Sequence, residues 1–241
     1  MRILLAGLLA VSPVWPQMAG SHRAFVVCPE IRDTKTSPCW LAEYSGETYF
    51  LGIQGGVAED FYPPQLEHQV LVEGEVVAGP RVCGGIPLKP VKVSVMQEID
   101  ASCHTMLPAQ DGIEAPPRVR VAPDSWVKTE GPGLSTLYFD FDNDFLSLHA
   151  SGALIQAVAY FKKSGAARIE VAGYRGATLL SSGATLTEKA GLARVRAEKV
   201  AETLVGLGVP RAAVSVQAVD NPVPAKGAGD AWNRRVVVSV K

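Results

Sequence analysis

The spacing of apolar residues changes period once along this chain, near residue 125, and that change restricts the fold more than any single motif does. Up to about residue 106 the apolar residues come in short or alternating runs: Phe25–Val27, Tyr49–Ile53, Gln69–Val72, Glu75–Ala78 and Val91–Met96. Turn-forming pairs separate them, at Ser45 and Gly46, Gly55 and Gly56, Pro63 and Pro64, Gly79 and Pro80, and Gly84 and Gly85. Val91, Val93 and Val95 alternate with polar residues, the period-2 pattern of a half-buried strand. Several short strands at this spacing predict a small barrel or sandwich, an OB-type barrel being one form of it.

Beyond residue 125 strands alternate with helices. Leu137–Asp142 reads as a strand with Leu137, Phe139 and Phe141 on one face. Leu154, Ile155, Val158 and Phe161 form a helical stripe, closed by Lys162, Lys163 and then Gly165. Arg168–Tyr174 is a second strand. Thr187–Leu207 is a second helix, with Thr187 as N-cap and Glu188 in its first turn. Strands at Val214–Ala218 and Val236–Val240 follow. Two βαβ crossovers of this kind place helices on one face of a sheet. The chain is therefore expected to be α+β: a β-rich unit over residues 21–106, a linker over 107–124 and an alternating unit over 125–241. Pro108, Gly112, Pro116, Pro117 and Pro123 disfavour both helix and central strand in the linker.

Residues 1–20 read as an export signal. Arg2 supplies the basic end, Ile3–Val14 is the apolar run, and Ala19 and Gly20 offer a cleavage point. The run is shorter than the ~20 apolar residues that span a bilayer. No later segment has that length, so no transmembrane span is expected. Cys28, Cys39, Cys83 and Cys103 are even in number and all lie in the β-rich half, which in an oxidising compartment means two disulfides. Three connectivities exist; the locally closed pairs Cys28–Cys39 and Cys83–Cys103 are the expectation. No Cys-x-x-Cys spacing supports a metal or haem site.

Residues 1–117 hold 7 Lys and Arg against 13 Asp and Glu, a net of −6; residues 118–241 hold 16 against 11, a net of +5. The basic half suits an anionic polymer such as cell wall and is too diffuse to argue nucleic acid. His22, His68, His104 and His149 are scattered, and no nucleophile–base set can be assembled, so no enzyme and no cofactor is expected.

Five segments then occur in a fixed order: Leu137–Asp142, Ile169–Tyr174, Arg194–Val200, Asp220–Val223 and Asn233–Val240. Together, over residues 135–241, they resemble the C-terminal peptidoglycan-binding domain shared by OmpA, MotB and Pal proteins. The resemblance implies a βαβαββ domain in the periplasm or at the outer membrane, with peptidoglycan as partner. It implies a pocket in which an Arg early in the second helix clamps the carboxylate of a diaminopimelate residue, while an acid in a Gly-Tyr-Thr-Asp element meets the amine. Arg196 stands at the helix Arg, and a guanidinium fork suits a carboxylate. Asp142 stands where the family usually has Asn, and Arg235 completes the implied ligand-binding set. Asp140, Asn233 and Arg234 are implied to be structural, with Arg234 or Arg235 paired to a carboxylate such as Asp140.

The departures matter as much. Where the family reads Gly-Tyr-Thr-Asp, this chain reads Gly173, Tyr174, Arg175, Gly176, so the acid is missing. Lys189 replaces the preferred Asn, Ala193 replaces Ser, and the loop Gly176–Ala184 is longer than usual. A clamp that loses its amine partner loses about 2–5 kcal/mol. Three readings remain. The chain binds peptidoglycan through Arg196 in a partly degenerate site with rearranged ligands such as Asp142, or it binds a different anionic ligand, or it is an envelope scaffold whose β-rich half binds a protein partner and whose OmpA-like half no longer binds wall.

Overall fold

The structure, a computed structural model, describes residues 20–55, 64–117 and 126–241. Residues 1–19 of the expected export signal and residues 118–124 of the expected linker lie outside the described residues.

The N-terminal half is a sandwich of two sheets. Strands β1 (His22–Val27), β5 (His68–Glu75) and β7 (Lys92–Ile99) form an antiparallel sheet in the order β1-β5-β7. Strands β2 (Pro29–Arg32), β3 (Cys39–Tyr44), β4 (Glu47–Ile53), β6 (Ile86–Pro87) and β8 (Met106–Leu107) form the second, in the order β6-β4-β3-β2-β8. Ser45 and Gly46 both take positive φ, the two-residue turn that joins β3 to β4. Phe25, Val70, Val72 and Val93 from one sheet meet Trp40, Ala42, Tyr49 and Leu51 from the other in a shared core. The Glu75–Ala78 run is not a strand of its own: Glu75 ends β5, and Val76 makes one bridge to Leu88.

The disulfides are Cys28–Cys103 and Cys39–Cys83, not the locally closed pairs. The register explains this. Arg32 faces Cys39 across β2 and β3. Cys28 therefore lies four strand residues, about 13 Å, further along, beyond the reach of a disulfide. Cys103, just past β7, comes within 4.8 Å of Cys28 (Cα to Cα), and Cys83 within 6.4 Å of Cys39.

The C-terminal half is an α/β layer. Strands β9 (Val127–Thr129), β10 (Leu134–Tyr138), β11 (Ile169–Tyr174), β14 (Val214–Val219) and β15 (Arg235–Val240) form a sheet in the order β14-β11-β15-β10-β9. Among the described strands of this sheet, only β11 and β14 pair in parallel. Helices α1 (Leu148–Ser164) and α2 (Leu192–Gly206) cover one face. Ser147 caps α1 by accepting from Ala150 N–H, and Gly165 closes it in the left-handed region behind Lys162 and Lys163. Leu137, Val171, Val236 and Val238 meet Leu154, Val158, Val200 and Leu204 in the core. Ile155, expected in the α1 stripe, is exposed instead, and Ala150, Ala153 and Ala157 take the buried face. Gly173 lets α2 approach closely: a Cβ there would lie 2.0 Å from Ala193 O.

Helix α2 starts at Leu192, five residues after the expected Thr187 cap. Residues 188–191 have tertiary partners instead. Lys189 N–H donates to Asp142 Oδ1, Gly191 N–H donates to Asp220, and the Glu188 side chain turns inward. The lengthened loop is a hairpin, β12 (Ala177–Leu179) with β13 (Thr185–Thr187). Its tip crosses to the other half. Ser181 N–H donates to Ala24 O at 2.7 Å, and Ser181 Oγ accepts from Ala24 N–H at 3.0 Å.

The halves meet through buried polar groups as well. Arg234 and Glu73, both buried, form an ion pair, and Thr178 Oγ1 donates to Glu73 Oε1 at 2.8 Å. Phe141 N–H donates to Ser94 Oγ at 2.9 Å. No helix of the described residues is long and apolar enough to cross a membrane.

Candidate functional site

Arg196 sits one turn into α2 and points under the loop that follows β10. Its side chain is 0% exposed. All five guanidinium N–H groups are used. Nε donates to Asn143 O at 2.8 Å; Nη1 donates to Glu188 Oε2 at 3.0 Å and Tyr174 O at 3.4 Å; Nη2 donates to Glu188 Oε1 at 2.6 Å and Asp140 O at 2.9 Å. The Phe139 ring lies 4.9 Å below the guanidinium carbon. A guanidinium has no sixth donor.

The carboxylate in the fork is Glu188, itself 0% exposed. Each of its oxygens takes one arm of Arg196 and one main-chain N–H: Oε1 from Asp142 at 3.0 Å, Oε2 from Gly176 at 2.7 Å. This bidentate, doubly hydrogen-bonded arrangement is what a guanidinium offers a carboxylate ligand, and here the ligand is the chain's own side chain. Arg175 holds the same segment by donating to Glu188 O and Asp220 O.

Gly176, where the family carries its acid, supplies the N–H that closes the cage. A Cβ there would lie 2.9 Å from Arg234 Cγ and 3.4 Å from Asn233 Cβ. A side chain at 176 is therefore crowded out by the same Arg234 that ties the halves together.

The other expected residues divide. Asp142 is at the mouth with positive φ. It accepts from Lys189 N–H at 2.7 Å, its main-chain oxygen accepts from Gln97 Nε2 at 2.6 Å, and Lys189 Nζ donates to Gln97 Oε1 at 3.3 Å. Strand β7 of the sandwich thus roofs the mouth. Arg235 does not join Arg196. Val236 points into the helix-covered core, so strand alternation turns Arg235 to the opposite face of the sheet, over the Tyr174 ring at 4.7 Å. There Asn233 Oδ1 and Trp232 O accept from it.

Arg234 pairs with Glu73 rather than with Asp140. The Asp140 Oδ1 atom is buried and accepts no hydrogen bond from the described residues. Burial, offset in part by Lys92, Arg234 and Arg196, pushes its carboxyl up to about 6. Burial likewise pulls the Lys92 ammonium down to about 8, with the Trp126 ring 3.9 Å and the Trp232 ring 5.1 Å away.

Sequence reasoning missed Glu188, Glu73 and Asp230. Glu188 precedes helix α2 instead of lying in its first turn. Asp230 is buried and accepts from Lys226, Gly227 and Leu179 N–H groups, so it ties β12 to the loop before β15. Asp230, an acid alone among Gly227, Ala228, Gly229, Ala231 and Trp232, carries the one such signal in the sequence.

Fold and pocket define a class, a helix-on-sheet domain with an internally liganded arginine. Similar solved structures carry the names of the family that the five segments resemble. One is the OmpA-like domain of FopA1 from Francisella tularensis, with 20% identity, covering 47% of this chain and 77% of that one at a TM-score of 0.35. A second is the peptidoglycan-associated lipoprotein from Burkholderia pseudomallei, with 26% identity, 44% and 89% coverage and a TM-score of 0.35. A third is the periplasmic domain of Helicobacter pylori MotB, with 20% identity, 48% and 78% coverage and a TM-score of 0.35. Each spans just under half of this chain, and the remainder has no likeness among them. No family model and no curated protein matches the chain.

Proposed function

We propose that this is an exported cell-envelope protein in which the OmpA-like half serves as a scaffold, its carboxylate pocket closed by Glu188. The five ordered segments support the envelope domain, and two disulfides suit an oxidising compartment such as the periplasm. The observation that carries the scaffold reading is the saturation of Arg196. All five donors are spent on internal acceptors, and both partners of the ion pair are fully buried. A peptidoglycan stem carboxylate would have to displace a carboxylate already held by four hydrogen bonds.

Co-sedimentation with purified sacculi tests this. The chain is expected in the supernatant, with Arg196→Ala no different. Wild-type protein that pellets with sacculi, and fails to do so as Arg196→Ala, would establish wall binding through Arg196 instead. Domain limits of 21–106 and 125–241 belong to the same proposal, with the sandwich as the half that meets an envelope partner.

A further inference from the structure

We propose that strand β14 is a self-association edge, and that its partner is β14 of a second copy of this chain. A sheet edge is a row of unpaired N–H and C=O groups, and proteins blunt it with shortness, charge, proline or cover. Among the described residues the other outer edges of the three larger sheets are blunted in these ways. β6 and β8 have two residues each, and β6 contains Pro87. β9 has three and ends beside the Lys128–Glu130 ion pair. β1 is hydrogen-bonded by Ser181 of the hairpin. β7 carries Lys92 and Glu98 and is abutted by Phe141 and Asp142. β14 differs: it runs for six residues, Val-Ser-Val-Gln-Ala-Val, with no charge and no proline. Beyond its pairing with β11, no described residue hydrogen-bonds the main chain of Ser215–Val219.

The strand is also its own complement. A two-fold axis perpendicular to the sheet pairs two copies antiparallel with like faces together. Centred on Val216, it sets Val214 against the other copy's Ala218 on the helix-covered face, where Val214 and Val216 already pack on the core. It sets exposed Ser215 against the other copy's exposed Gln217 on the open face. Helix α2 lies over β11 and β14. Strands about 4.8 Å apart then bring the two α2 axes to about 10 Å, a normal helix-packing distance, with exposed Val195 on those helices. The product is a continuous ten-stranded sheet.

Sedimentation velocity on the full chain, from micromolar to millimolar concentration, tests this. Wild type is expected to show a monomer–dimer equilibrium. The double variant Ser215→Lys with Gln217→Lys sets like charges opposite each other on an exposed face and is expected to be monomeric with an unchanged circular dichroism spectrum. The variant Ser215→Lys with Gln217→Glu restores opposite charges in this register and is expected to dimerise again. A wild type that is monomeric throughout overturns the proposal. So does a double-lysine variant that still dimerises, or a charge-swapped variant that does not.

Discussion

The guanidinium fork of Arg196 is filled by Glu188, and both side chains are 0% exposed. Removing one partner of a buried, hydrogen-bonded ion pair leaves the other charge stranded. Glu188→Ala is expected to lower unfolding free energy by about 3–5 kcal/mol in urea titrations. Acetate should restore part of it in a saturable way, because a small carboxylate fits the fork that Glu188 leaves. Loss of stability with no response to acetate would mean that the cage collapses rather than opens.

Asp140 and Lys92 give the fold an unusual pH profile. Asp140 titrates at about 6 in the folded chain against an ordinary 3.8. The folded state therefore holds the proton more tightly, and the stability this contributes is present below 3.8 and lost as pH rises through about 6. Lys92 is depressed from 10.5 to about 8, so its contribution is present above 10.5 and lost as pH falls through about 8. Between pH 6 and 8 both groups are charged in an environment that disfavours charge. Asp140→Asn should abolish the acid-side slope, worth about 3 kcal/mol at 1.36 kcal/mol per unit. Chemical denaturation at pH 4, 5, 6 and 7 measures it; a slope unchanged in the variant would assign it to another group.

At the scale of elements, the disulfides and the β12–β13 hairpin do what the short strands cannot. Cys28–Cys103 and Cys39–Cys83 close loops of 75 and 44 residues. Loop-closure entropy puts the loss on removing either at about 4 kcal/mol. Paired Cys→Ala variants, compared by thermal melting, are expected to lose comparable stability, and non-reducing peptide mapping should find these two pairs. A Cys28–Cys39 peptide would contradict the register of β2 and β3. The hairpin was legible only as extra length after Gly176. Its strands have three residues each, too short for period 2 to declare itself, and its tip is placed by Ala24, some 157 residues away in sequence.

At the scale of the molecule, the change of period near residue 125 suggests two units, and the interface binds them together. Glu73–Arg234 is an ion pair across the halves with both members buried, and Ser94, Thr178 and Ser181 add hydrogen bonds. Unfolding either half alone would strand a buried charge in the other. The chain is therefore expected to unfold in one calorimetric transition whose van't Hoff and calorimetric enthalpies agree. Two resolved transitions would mean that the interface contributes little.

The sequence by itself determined the α+β architecture, the alternation of strands and helices after residue 125 apart from β9 and the β12–β13 hairpin, and the place of Arg196 on the second helix. These follow from local periodicity, caps and glycines, which act over a few residues. Only the tertiary structure decided which cysteines pair, that Arg235 faces away from Arg196, and that Glu188 fills the fork. Each of these depends on strand register or on a loop folding back over the sheet. An ion pair is a contact between two points in space, and nothing in the linear spacing of Glu188 and Arg196 distinguished it from a helix face open to solvent.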